Sequence, residues 1–498
     1  MNGALRITVI LLCALLASCA STGDRGTLAQ LRNVKVEVKE EKVEGGIAKA
    51  IQGYERFLAE TPESPLVPEA MRRLADLKVE KEYGVIGTPS TQAKAQRSAP
   101  TTMDRPERYD AAKAKQKEVP GRLEETASRA KAGGSSESER DFEKRATASP
   151  EIKGAARGAD SPLPAGADLE KAGPREAIAL YKKLLAKYPL YDRKDQVLYH
   201  MSRAYEELGD IEQAMKVMNR FVNEHPDSKY FEEVQFRRGE YFFMRKKFLD
   251  AEDAYRAIAD RGVGSSFYEV ALYKLGWTFY KQELYEDSLP RFFGVLDYKV
   301  STGFDFENAK DDFEKKRVQD TYRVISLSFS NLGGPKAVSD YFGKYGKRPY
   351  EANIYQNLGE FYLDKRRYND AALTYKTFVK GHPFDKVSPH FDMRVIEIYK
   401  KGAFPRLVID SSKEFARNYG LKSEYWKHFD PQTQPEVVGY LKQNLKELAD
   451  YYHALYQDKR LGKEKETNFK EALVWYREFL DSFPRDSDAP AMNYQAVV

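Results

Sequence analysis

The sequence predicts an all-α fold, a solenoid of stacked helical hairpins, on three observations. A register of small and aromatic residues recurs every 37 positions: Ala177, Ala214, Ala251 and Ser288, followed four places on by Tyr181, Met218, Tyr255 and Phe292. Within each period, apolar residues return at three- and four-residue steps, stop at a polar turn and resume, which is the pattern of two amphipathic helices. A proline such as Pro226 or Pro383 then closes the second helix, because its ring cannot continue the hydrogen-bond ladder. A fixed period of this size marks units that cannot bury their apolar faces alone and depend on their neighbours for a core.

Taken in order, residues 1–18 read as a secretory signal segment, with Arg6 ahead of an apolar run over 7–17 that is too short to persist as a spanning helix. Residues 19–45 form a tether, in which Val34, Val36 and Val38 alternate with charges too briefly to define a strand. Residues 46–86 predict an isolated helical pair, its Ala50, Tyr54, Phe57, Leu58 and Pro62 echoing the second helix of the repeat. So small a pair is marginal alone, and must dock on the array or pair with another molecule. Residues 87–172 are rich in Ala, Ser, Pro, Gly and charge, and between 87 and 168 Tyr109 and Phe142 are the only aromatics. Such a stretch cannot bury enough to offset its ordering entropy and predicts a disordered linker, with nascent helix over 124–131 and 138–145. The array itself occupies 173–498.

One unit spans 196–226: Leu198, Met201, Ser202 and Tyr205 on the first helix, a Leu208-Gly209-Asp210 turn, then Ala214, Met218 and Phe221. The clearest copy, 355–383, runs Leu358, Gly359, Tyr362, then Tyr368, Ala371, Ala372, Tyr375, Phe378 and Pro383. This order of large, small and aromatic residues resembles a tetratricopeptide repeat, and the resemblance implies a right-handed superhelical solenoid. The usual period is about 34, so the extra residues fall after the closing proline. Ser202, Gly239, Gly276 and Gly359 fill the small position where the two helices approach, and a large residue there should cost about 1–3 kcal/mol by overpacking. Weaker copies follow at 391–420, where Ser411 replaces an aromatic, and at 441–484, where the turn swells over 459–467. Over 299–345 the register fails, with an insertion at 301–316 and a shortened hairpin around Leu327 and Ala337. Residues 491–495 read as the opening of a further first helix, so the natural polypeptide is expected to continue.

Leu16-Ala17-Ser18-Cys19 resembles a bacterial lipobox, and the 37-residue repeat is similar to that of tetratricopeptide-repeat outer-membrane lipoproteins. By that resemblance Cys19 becomes the first mature residue and carries lipid, several acyl chains giving stable attachment. Ala20 and Ser21 follow it in place of an Asp, which implies the periplasmic face of the outer membrane of a Gram-negative bacterium. Cys13 leaves with the signal, so no internal disulfide and no cysteine metal site is expected.

With 81 basic against 76 acidic residues, the charge balance gives no argument for nucleic acid. No His-Glu-x-x-His, phosphate-loop or Gly-x-Ser-x-Gly pattern occurs, and His225 and His382 occupy one structural place in two repeats. His200, His390, His428 and His453 share no metal-like spacing, so neither enzyme, metal nor cofactor is expected. The resembled family lines a concave groove with set positions of each first helix. Carried over, these are Tyr199, Arg203 and Glu206; Phe236, Glu240 and Phe243; and Tyr273, Trp277 and Tyr280, with Trp277 expected to be the most exposed. Such aromatics suit an extended or helical peptide, or else pack between hairpins. The lysine and asparagine clamp of chaperone-tail binders is missing from these positions, which argues against a C-terminal carboxylate ligand. The expected function is a non-catalytic scaffold that organises an envelope complex, binding other envelope proteins through the groove and the membrane through acylated Cys19. Alternatives are a periplasmic chaperone-like receptor for extended polypeptides, an adaptor for envelope biogenesis, cell-wall or gliding motility machinery, and a catalytic part beyond Val498. The oligomeric state stays open.

Overall fold

The computed structural model describes residues 45–83, 137–148, 172–306, 308–458, 460, 462 and 464–497. The signal segment, Cys19, the tether up to residue 44, the short helix expected over 124–131 and most of the linker lie outside them. The described elements are all helical, and the chain divides into two units at Ala70 and Met71. In the first unit α1 (Gly46–Glu60) ends where Thr61 Oγ1 donates to the Phe57 carbonyl at 2.7 Å, just before Pro62. Helix α2 (Val67–Tyr83) begins there and runs into the second unit.

The second unit continues with α3 (Glu139–Ala146) and α4 (Ala172–Lys187). Hairpins follow: α5 (Lys194–Glu207) with α6 (Ile211–Glu224), α7 (Phe231–Met244) with α8 (Phe248–Ala259), and α9 (Tyr268–Lys281) with α10 (Tyr285–Ser301). Next come α11 (Asp312–Asn331) with α12 (Pro335–Tyr345), α13 (Glu351–Asp364) with α14 (Tyr368–Gly381), and α15 (Ser388–Lys401) with α16 (Pro405–Tyr419). The long α17 (Pro435–Gln457) pairs with α18 (Lys465–Ser482), and α19 (Ala489–Val497) packs on α18. Most helices pack chiefly on their chain neighbours, as a solenoid requires, while α11 packs chiefly on α10 and α13, and the short α12 packs most on α14. The core runs as a seam; α15 joins two of its clusters, giving Phe391, Val395 and Ile398 to one and Met393 and Ile396 to the other.

Two recurring devices set the hairpin geometry. At the helix crossing, a Cβ on Gly239 would stand 2.5 Å from the Tyr255 ring, one on Gly276 2.9 Å from Phe292, and one on Gly359 2.5 Å from Tyr375. The aromatic of the second helix therefore fills the space that the small residue leaves. At the turn, a left-handed residue recurs: Gly209 at φ 72°, Lys246 at 58°, Glu283 at 61°, Arg366 at 59° and Ala403 at 58°. The next amide then reaches back to close the first helix, as Lys247 N–H does to the Phe242 carbonyl at 2.9 Å, in a Schellman arrangement.

A third device links neighbouring hairpins. Tyr255 donates to Glu240 at 2.5 Å, and Glu240 accepts from Lys274 of the next hairpin at 2.9 Å. Likewise Tyr375 donates to Glu360 at 2.6 Å, and Arg394 holds that carboxylate with two bonds of 2.8 Å. Burial, and then the adjacent carboxylate, push both phenols well up, which keeps them as donors. The same contact recurs between residues 105 positions apart: Tyr181 of α4 donates to Asp76 of α2 at 2.6 Å, and Lys78 pairs with Glu176 at 2.7 Å. Ala75, fully buried before Asp76, stands where Gly239 and Gly359 stand before their glutamates. Residues 71–83 thus supply the first helix of a hairpin that α4 completes, and residues 84–171 are inserted at its turn. Of the helical pair expected over 46–86, the second helix has its partner beyond the insertion.

Candidate functional site

The segment expected to be linker contributes a docked helix. Helix α3 is only eight residues long, a length at which an isolated helix is marginal in water, so its contacts must hold it. Ser138 caps its start, accepting from the Asp141 amide at 3.1 Å, within the 138–145 stretch where helix is expected. The rest of its support comes from the first helices of successive hairpins.

Phe142 is the anchor, fully buried against Trp277 with ring centroids 5.7 Å apart, and the Arg323 guanidinium lies 4.0 Å from the Phe142 centroid. One turn later Arg145 grips Asp320 with two bonds, 2.7 and 3.1 Å. Such a bidentate pair fixes direction as well as adding energy. Glu137 ahead of the helix accepts from Arg323 at 2.9 Å and from Arg145 at 2.8 Å, and its hydrogen bond with Arg145 leads in holding its pKa below the usual glutamate range. At the other end the Tyr273 hydroxyl donates to the Ala146 carbonyl at 3.2 Å and Lys274 Nζ to the Thr147 carbonyl at 2.9 Å. Those carbonyls belong to the end of a helix, where no intrahelical donor exists and positive charge is favoured. Lys281 pairs with Glu143, and Lys365, just after α13, with Glu139 at 2.5 Å. Glu139 and Glu143 of α3 thus meet lysines, Glu137 ahead of it meets arginines, and its Arg145 meets an aspartate.

The carried-over groove residues fall into two groups. Tyr273, Trp277 and Tyr280 come together around α3: Trp277 lies 5.2 Å from Tyr280 and 6.3 Å from Tyr273, and nearby Glu143 contributes, after burial, to raising the Tyr280 phenol. The others pack between hairpins. Tyr199 stacks on Tyr230 at 4.2 Å, donates to Glu233 at 2.8 Å and accepts from Arg203 at 3.1 Å. Phe236 packs on Phe267 and Tyr255, Phe243 on Phe248, and Glu206 pairs with Arg237. Glu240 is committed to Tyr255 and Lys274. Trp277, expected to be the most exposed, has no exposed surface, because Phe142, Tyr280 and Phe292 surround its ring. Sequence reasoning missed Asp320, Arg323 and Lys274. The first two sit where the repeat register breaks, on a helix extended to 20 residues, and the third follows Tyr273 off the expected positions. His382 keeps its structural role, stacked on Phe378 at 4.5 Å.

Residues 196–228, which hold the hairpin of α5 and α6, match the family of tetratricopeptide repeats. This hairpin is a tetratricopeptide repeat. The two hairpins that follow, α7 with α8 and α9 with α10, repeat its 37-residue period and its left-handed turn. No curated protein matches the chain. Among solved structures, it resembles the C-terminal part of a TPR repeat-containing protein from Cytophaga hutchinsonii, at 13% identity over 59% of this chain and 98% of that one, with a TM-score of 0.24. The apo form of the quorum sensor NprR from B. thuringiensis matches at 13% identity over 65% of this chain and 93% of that one, TM-score 0.23. Naa15/Naa10 bound to HypK-THB matches at 10% identity, with 91% of this chain covering 54% of that one, TM-score 0.28. At such scores none of these likenesses bears on function.

Proposed function

We propose that this chain is a non-catalytic protein–protein interaction scaffold, held by lipid on Cys19 at the periplasmic face of a Gram-negative outer membrane, which organises envelope proteins through the groove of α9 and α11. One observation carries the groove reading: the groove holds a short helix by a buried aromatic anchor, a bidentate ion pair and two bonds to helix-end carbonyls. That set of contacts reads residue type and direction together, which favours a scaffold with defined partners over a receptor for any extended chain. The anchor and its address rest on Leu16-Ala17-Ser18-Cys19 and the residues after it.

Two experiments test this reading. Cys19→Ala is expected to leave the array folded and to move the protein from the membrane fraction to the soluble periplasm; persistence in membranes washed with high salt contradicts lipid anchoring. Affinity capture from detergent-solubilised envelopes with the full chain is expected to recover a few envelope proteins in fixed proportion. A diffuse set of unfolded chains supports the chaperone-like receptor.

A further inference from the structure

We infer that residues 137–148 are an internal stand-in for a partner, so that the groove around Trp277 is a receptor for a short amphipathic helix with acidic residues in its first turn, a Phe, and an Arg three residues later. This deepens the scaffold reading and rests on it. The pattern is drawn from the occupant: Glu137 faces Arg323, Phe142 fills the site beside Trp277, and Arg145 grips Asp320.

Three features make the segment displaceable although its Phe142 and Ala146 join the core. Its helix is one of eight residues, inserted at the turn of the hairpin formed by α2 and α4, and is too short to hold itself in water. The outer ion pair, Lys365 with Glu139, is about half exposed on both sides and therefore contributes little. The indole Nε1 of Trp277 is buried against the Tyr273 hydroxyl without good hydrogen-bond geometry, and the described residues of the segment offer it no acceptor. A poorly paired buried donor is costly, and a partner helix that brings an acceptor to it gains over the resident one. Tethering compensates the segment for this imperfection, because a linked ligand acts at an effective concentration on the order of mM. The inserted segment therefore sets a threshold: only a partner that is concentrated, multivalent or better matched opens the groove.

The probe is a fluorescein-labelled peptide with the sequence of residues 135–149, titrated by anisotropy against the full mature chain. The Phe142→Ala/Arg145→Ala chain, whose own segment is disabled, is expected to bind the peptide at least ~10-fold more tightly than the wild type does. Adding Trp277→Ala to that chain is expected to abolish binding. Because Trp277→Ala also removes core volume, a charge exchange provides the second arm: Asp320→Arg in the disabled chain weakens binding, and a peptide carrying Arg145→Glu restores it. Equal binding to wild-type and disabled chains, binding to neither, or no rescue by the exchanged peptide overturns the inference. A wild-type dimer that becomes monomeric in the disabled chain also overturns it, since the segment would then bridge two copies. Capture of envelope proteins by the wild-type chain is scored separately, so a scaffold that lacks this gate remains distinguishable from a failed scaffold.

Discussion

At the scale of residues, two substitutions isolate the terms that hold the hairpins. Gly359→Ala places a Cβ 2.5 Å from the Tyr375 ring, which is fully buried and tied to Glu360, so the ring cannot simply swing away. The expected cost is about 1–3 kcal/mol in urea unfolding, whereas the same change at the open Gly53 should cost nothing measurable. Asp392 is the converse case. Burial raises its carboxyl to about 6, with the Tyr419 hydroxyl at 3.0 Å offsetting part of that rise. The unfolded value is near ~3.9, so between roughly pH 4 and 6 the folded state holds a proton that the unfolded state has lost, and stability falls as pH rises through that window. Above it the penalty is fully present. Asp392→Asn removes the charge and keeps an acceptor for Tyr419, and should gain on the order of 1–3 kcal/mol at pH 7.5 with no gain at pH 4. Equal effects at the two pH values would contradict this.

At the scale of elements, the turn between the paired helices carries strain that its sequence leaves in place. The left-handed position is glycine at Gly209 but Lys246, Glu283, Arg366 and Ala403 in other hairpins. A side chain in that region costs roughly 1–2 kcal/mol, so Ala403→Gly is expected to raise stability by about 0.5–1 kcal/mol despite the extra freedom given to the unfolded chain. A lower melting temperature would show that Ala403 is not strained. The hairpins were legible from the sequence because a helix crossing demands a small residue and an aromatic at fixed spacing, and repetition amplifies that demand. The site was legible in part. Tyr273, Trp277 and Tyr280 follow from the register, but their cover, Phe142, lies in a stretch whose composition carries no packing signal. Asp320 and Arg323 lie where the period is broken, so no register could place them. The partnership of α2 with α4 was hidden by the same insertion, because Asp76 and Tyr181 stand 105 positions apart.

At the scale of the whole molecule, a solenoid is held by nearest neighbours, and long-range information enters only where a distant segment crosses it. Here α3 does so, touching side chains of α9 and α11 and Lys365 beyond α13. Its occupation of the groove ties the state of the binding surface to the state of the inserted segment, which is the central claim. Hydrogen exchange on the full chain, read by mass spectrometry for peptides spanning 139–147, tests it most directly, because an undocked helix of eight residues cannot protect its amides. The account predicts slow exchange in the wild type and fast exchange when Phe142→Ala or Asp320→Arg breaks the docking, with α9 and α10 still protected. Fast exchange of 139–147 in the wild type would contradict it.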